Sequence, residues 1–592
     1  MHSRKYIVLV LLFFISYIVF PECSVLYAKG KTRVIYTSSV KSWEPSSLVS
    51  MIDGCHEPTT IVFDADYDYT IDRCIKPKTS ITLNGCGKKL RCVNKTNYVI
   101  SLFDVRNVES FKIDNLILDG GSEVVHSDKT MPKEFFITVK GVKNVSITNC
   151  ILQNIKTDFP GWKVGDEVYT IWIENYGRLT FCDNVVTNCD CPEFFKAILP
   201  QENKDPNRFA DICRNKMQFV RTSSAIEVRF GRYRINNNEI GVTYGSSINA
   251  FGFNSEIIGN RFSGSHNSST IDLSEHYMFE YVSHDIIVKN NYSEYSHDGF
   301  LMGDHVNDIY IKNNTFRADI YDEDVHARYD KLWTVVERSC DLALRLDHDL
   351  SNIKILSNTF IGCHALVMFN MLGHKSNIRI EDNYIKNVDS PKRSSLVITQ
   401  TDNIRIKNNV FINSGSSLSY LDRPQFIVIG PTNTDVASER YVTRVSITDN
   451  SFEFSDLNKR QAYILAHTIY DKYKCNTLSS LNNFSIKKNK SSFEGDILLM
   501  TDDFSTVNTP AVSVKRNSFG NCKLSGNVFN SSSGDEKLKR SSSLISNTIV
   551  EKDGKRYYVI LGGTTSSKEE NYNTDDYIKD GSAVLRRITN NK

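Results

Sequence analysis

The chain has almost no excess of either charge: 71 basic and 69 acidic residues leave a net +2 over 592 residues. With the two signs interspersed, nothing argues for a nucleic-acid partner or an acidic membrane surface. Partners must therefore be read from local sites. Long apolar runs are also missing. The one near the start, residues 6–20, is too short for a membrane span. Arg4 and Lys5 precede it and Pro21 ends it, so residues 1–28 read as a secretion signal cut after Ala28. The expected product is secreted, periplasmic or on the cell surface, with no stable membrane span. A lipid anchor on Cys23 is the rival outcome, disfavoured by Glu22 as its neighbour. Absent too is the 3.6-residue apolar period, which excludes a repeat of helix pairs.

What the chain has instead is one short phrase written twelve times between Phe181 and Phe529: an apolar residue, two variable residues, Asn, a variable residue and usually a second apolar one. Clear copies are Ile235-Asn-Asn-Asn238-Glu-Ile240, Ile257-Ile-Gly-Asn260-Arg-Phe262, Ile311-Lys-Asn-Asn314-Thr-Phe316 and Ile355-Leu-Ser-Asn358-Thr-Phe360. Successive Asn positions from Asn238 to Asn409 are spaced 22, 31, 23, 44, 25 and 26 residues apart. The flanking residues alternate with period two, as do earlier runs such as Ala225-Ile-Glu-Val228 and Thr170-Ile-Trp-Ile173. Short strands repeating every twenty-odd residues predict an all-β, right-handed parallel β-helix, a solenoid with protruding loops. Coils stacked about 4.8 Å apart superpose the Asn residues into a ladder, and an amide can bond both to backbone at the bend and to the amide above it.

The expected organisation is a lead-in and cap over 29–60, the β-helix over 61–530, and a C-terminal hairpin with a polar tail over 531–592. The hairpin runs from Ile549 to Ile560, turning at Asp553-Gly554. Two interruptions, 189–222 and 317–339, are expected to protrude as loops.

Of the glycosylation sequons, Asn291 and Asn489 fall on the ladder and Asn313 adjoins it, so all three are expected to be inaccessible. Asn94, Asn144, Asn267, Asn483 and Asn530 remain as formal acceptors where the source has that machinery. Among fourteen cysteines, Cys55, Cys74, Cys86 and Cys92 sit where bridges would help the first coils most. Cys150, Cys182, Cys363 and Cys522 read rather as buried thiols at strand ends. Cys189-Asp-Cys191 and Cys213 are too sparse for a metal site.

The opening strands, Thr60-Ile-Val-Phe63, Tyr69-Thr-Ile71, Ile81-Thr-Leu-Asn-Gly85 and Leu116-Ile-Leu-Asp-Gly120, resemble the start of pectate-lyase-like β-helix proteins. Aligning later strands by their distance to the ladder concentrates polarity in the middle of the stack. Asp272, Asp298, Arg345 and Asn370 are expected to line one groove. Glu275, His276, Asp304, His305, Asp347 and His348 follow where the strands turn outward. The catalytic candidates are Asp272, His276, Asp298, His305, Arg345 and Asp347. The substrate-binding candidates are Glu227, Arg229, Asn249, Glu275, Asp304, His348, Asn370 and His374.

The stretch Thr270-Ile-Asp272-Leu-Ser-Glu-His276, followed by His297-Asp298-Gly-Phe, resembles the catalytic coils of mannuronan C5-epimerases, although the His of their Asp-Pro-His motif would fall on Ser274. Tyr321-Asp-Glu-Asp324-Val-His326 repeats that family's Tyr, Asp and His spacing inside the second loop, where it reads as coincidence.

Removing the proton beside a uronate carboxylate needs that carboxylate neutralised, a base near it and an acid at the leaving oxygen. Arg345 would neutralise, and His276 or His305 would exchange protons. The expected activity is that of a lyase or C5-epimerase on an acidic polysaccharide. A hydrolase using Asp272 and Asp298 is the alternative, and a non-catalytic glycan-binding solenoid is the rival from another class. No cofactor is required by this reading. Ca²⁺ is allowed, but no cation-loop pattern calls for it.

Overall fold

The computed structural model describes residues 32–93, 102–121, 134–156, 169–274, 282–330, 340–369, 373–387, 395–398 and 401–413. Beyond these it describes mainly strands: 425–429, 442–454, 461–467, 481–482, 484–491, 495–501, 512–515, 518–523, 545–546, 549–552, 555–560, 577–580 and 583–587. The expected signal segment, Glu275, His276 and Asn370 lie outside the described residues.

The chain winds as a parallel β-helix of three sheets. Each coil runs through sheet C, bends into sheet A, turns at the ladder residue and enters sheet B. Strand Ser224–Asn236 serves both C and A, and Glu239–Ile240 lies in B. The next coil begins at Ile248–Ile258, which again serves C and A. Pairing between coils is parallel and in register. In sheet C one inward column reads Phe103, Ile137, Ile171, Phe195, Ile226, Ile248, Ile271, Leu301, Leu344, Val367, Leu396 and Ile427. All twelve are buried, and side chains of this size contribute about 1.5–3 kcal/mol each on full burial. Period-two alternation leaves their neighbours facing outward, where the site lies.

The ladder runs unbroken from Asn184 to Asn489. Each Nδ2 donates to the next Oδ1 at 2.9–3.0 Å, through Asn215, Asn238, Asn260, Asn291, Asn314, Asn358, Asn383, Asn409 and Asn450. The second Nδ2 hydrogen goes to a backbone carbonyl of the preceding coil, as from Asn238 to Ile212 O at 2.9 Å. The Oδ1 also accepts the preceding coil's backbone N–H. Both donors and the acceptor are therefore satisfied in a position that water does not reach. Cys150 ends the ladder: its backbone N–H donates to Asn184 Oδ1, and a thiol stands where the amide would be.

Four expectations are corrected. Residues 189–222 are not a loop but a full coil, Glu193–Ile198 in C, Phe209–Cys213 in A and Lys216–Arg221 in B, with Asn215 on the ladder. Only residues 200–208 protrude. Cys182 is not a thiol. It forms a disulfide with Cys213, its register partner one coil on. Cys55, Cys74 and Cys86 are free thiols. Asn291 and Asn489 are buried as expected, but Asn313 is exposed in a left-handed corner, so its neighbour's burial does not protect it.

Strand Arg33–Tyr36 pairs with Thr59–Val62, and helix Ser47–Asp53 turns Leu48 and Ile52 onto the core. At the other end Ile549–Lys552 and Lys555–Ile560 pair antiparallel.

Candidate functional site

Outward residues of sheet C form a second column in the same register: Thr138, Trp172, Lys196, Glu227, Asn249, Asp272, Met302 and Arg345. Its upstream part is closed to solvent. Glu227 accepts from Tyr169 Oη at 2.8 Å, lies 3.2 Å from Lys196 Nζ and is bonded to Arg229 Nε. Lys196 Nζ also donates to Tyr169 Oη at 3.0 Å. Glu193 is half-buried beside this set. Desolvation first, then the charge of Glu227, raise its carboxyl well above the usual carboxylate range. Desolvation likewise pushes the Tyr169 hydroxyl up. Glu227 and Arg229, expected to bind substrate, are thus engaged with one another, and Glu227 also with Lys196.

Asn249 donates to Ser224 Oγ at 3.3 Å. Asp272 is buried, and its Oδ1 accepts from Ser274 N–H at 2.9 Å and Ser274 Oγ at 2.5 Å. The serine that displaces the epimerase-like His therefore ties down the aspartate. Asp272 and Arg345 share a row, with Met302 between them.

The downstream part is partly open and brings six predicted residues together: Asp298, Asp304, His305, Arg345, Asp347 and His348. Strand Gly299–Asp304 pairs with Cys340–Asp347 so that Met302 meets Arg345 and Asp304 meets Asp347. The Arg345 side chain is 44% exposed, with Nε 3.3 Å from Asp347 Oδ2 and Nη1 3.8 Å from Asp298 Oδ2. Asp298 Oδ1 lies 3.0 Å from His297 Nδ1. At the end of the strands, Asp304 Oδ1 lies 2.6 Å from His348 Nδ1 and 3.8 Å from His305 Nε2. The two imidazole rings stack 5.0 Å apart. His305 Nδ1 is 3.6 Å from Asp349 Oδ2, and the exposed His374 gives its backbone N–H to Asp349 Oδ1 at 2.6 Å.

Burial raises the Asp347 carboxyl, with Asp304 adding to the shift and Arg345 opposing it. Lys375 lies behind the turn with Nζ donating to Gly373 O at 3.0 Å. Burial pulls its ammonium down to about 8 against the pull of Asp347 and Asp349. Asp349 and Lys375 are absent from the sequence candidates, and His297 figures there only within the epimerase-like stretch. All three adjoin chosen positions: Asp298, His348 and His374.

The Tyr321 to His326 spacing has a structural use. After Thr315–Arg317 the chain leaves the coil through the short helix Glu323–His326. His326 stacks on Tyr321 at 4.3 Å and meets His266 Nδ1 at 3.3 Å, while Tyr329 Oη donates to Val242 O at 2.8 Å. The loop is clasped to the side of the solenoid.

No family model and no curated protein sequence matches the chain. Solved structures do. A tailspike mutant of E. coli bacteriophage HK620 in complex with a hexasaccharide is 11% identical over 92% of this chain and 85% of its own, with TM-score 0.37. The PL6 family alginate lyase AlyGC is 10% identical over 85% and 87%, TM-score 0.24. A mannuronic acid specific family 6 polysaccharide lyase from human gut microbiota is 12% identical over 86% and 93%, TM-score 0.28. At 10–12% identity none of these places the chain in a family.

Proposed function

We propose that the protein is an exported enzyme acting on an acidic polysaccharide laid along sheet C, by proton abstraction beside a uronate carboxylate. The observation that carries this reading is Arg345: a half-exposed guanidinium between Asp298 and Asp347, with imidazoles on both sides of it along the groove. A guanidinium there meets a uronate carboxylate bidentately and stabilises the charge that develops when C5 loses its proton.

His297, oriented by Asp298, is the proton acceptor the geometry favours. His305 is the weaker candidate, because each of its nitrogens already faces a carboxylate. Asp347, raised by burial, keeps its proton to higher pH than an ordinary aspartate and can supply it to a leaving oxygen. In elimination the C5–H bond breaks to the base, the C4–O bond breaks, the C4–C5 double bond forms and the leaving oxygen is protonated. If the proton returns instead on the opposite face, the product is the C5 epimer. The hydrolase reading is less well supported, since the Asp272 carboxylate is buried and bound to Ser274.

The deciding experiment incubates the protein with uronate polymers and follows unsaturated product, inverted residues and new reducing ends. The expected result is one of the first two, lost in Arg345→Ala. A glycan-binding solenoid without activity would give none of the three.

A further inference from the structure

Two Asp-His turns stack in adjacent coils at the open end of sheet C. Asp304 and Asp347 are register partners, and the histidine after each sits in the left-handed region, His305 at φ 51° and His348 at φ 57°. One ligand atom from each of Asp304, His305 and His348 lies within 4.8 Å of the other two. Asp347 is engaged by Arg345, whereas Asp304 has no Arg or Lys ion pair among the described residues and lies against the imidazoles of His305 and His348.

We propose that Asp304, His305 and His348 form a binding site for a divalent transition-metal ion of the Zn²⁺ class. Two imidazoles and one carboxylate are a nitrogen-rich, three-ligand set that leaves a fourth position for water or substrate oxygen. The same set is poor for Ca²⁺, which takes six to eight oxygens. A second observation supports the assignment: the far nitrogen of His305 points to the Asp349 carboxylate at 3.6 Å, the outer partner that fixes a ligating imidazole's tautomer. The side chains of Asp304, His305 and His348 are 14%, 22% and 29% exposed, so an ion can enter without unfolding the turn. The site goes beyond the uronate reading. Where that reading also holds, the ion adds positive charge beside Arg345, and proton acceptance stays with His297.

The test uses the full-length protein, stripped with chelator and titrated with Zn²⁺ alone by calorimetry and equilibrium dialysis. One equivalent is expected to bind. Affinity should fall by about tenfold or more in His348→Ala and in Asp304→Asn, by about tenfold in Asp349→Asn, and not at all in His56→Ala, an exposed histidine far along the chain. Co²⁺ in place of Zn²⁺ should show ligand-field bands without thiolate charge transfer. No stoichiometric Zn²⁺, equal affinity in His348→Ala, or a thiolate band placing the metal on cysteines would each overturn the proposal. Should His348→Ala fail to fold, His305→Gln and His348→Gln carry the same expectation. None of these readouts needs a substrate, so the failure of the metal site and the failure of the uronate reading are told apart.

Discussion

Asn314 and Asn358 stand 44 residues apart in the chain, yet the Nδ2 of the first donates to the Oδ1 of the second at 3.0 Å. The whole loop that carries the His326 clasp is inserted between them without disturbing the stack. Asn314 also donates to Val288 O at 2.9 Å and accepts from the backbone and amide N–H of Asn291 at 3.0 Å each. Asn314→Ala leaves several of these buried groups unpaired at about 1–3 kcal/mol each, so a loss of about 3 kcal/mol or more is expected. Urea denaturation checks this against Lys312→Ala on the surface, expected to change stability by about 0.5 kcal/mol or less.

Ladder positions were legible because each coil demands one residue type, an amide flanked by inward apolar residues. That rule also covers a further copy beyond the twelve, Ile212-Cys-Arg-Asn215-Lys-Met217, in a coil that residues 199–208 lengthen between its C and A strands. The downstream groove was legible for the same reason: a register fixed by the ladder aligns Asp304 with Asp347 and sets Arg345 beside Asp298. Burial was not legible. Alternation tells which side of a strand Asp272 and Glu227 occupy, but not that Ser274 folds back on one or that Tyr169, 58 residues away, caps the other.

The Cys182–Cys213 disulfide joins neighbouring coils across 31 residues. Replacing both cysteines by serine is expected to cost about 3 kcal/mol. A non-reducing peptide map should show the 182–213 linkage, with the buried pair Cys340 and Cys363, 3.7 Å apart, recovered as thiols.

Lys375 gives a pH signature. Its ammonium is held down at about 8 against an ordinary 10.5, chiefly by burial. Between those values the unfolded chain binds more protons at this position than the folded one, so this group makes stability rise with pH through that window. Lys375→Met removes the titration. Its stability advantage over the parent should be largest below pH 8 and shrink towards pH 10.5, as read from urea midpoints. An unchanged difference across the window would mean that the ammonium is not desolvated.

Arg345 should matter to an acidic ligand and not to a neutral one. A charge-assisted hydrogen bond contributes about 1.5–3 kcal/mol, so Arg345→Ala is expected to weaken binding of an oligouronate by about tenfold to a hundredfold. The uncharged oligosaccharide of the same length should be unaffected. Calorimetry with the two ligands checks this directly.

The most direct test of the central claim is the ultraviolet absorbance of unsaturated uronate, with proton NMR of the polymer in parallel, when the purified protein meets a panel of uronate polymers. The account predicts unsaturated product or C5-inverted residues from at least one polymer, abolished by Arg345→Ala and sharply reduced by His297→Ala. No change in absorbance, in the NMR spectrum or in reducing ends with any of them would contradict it.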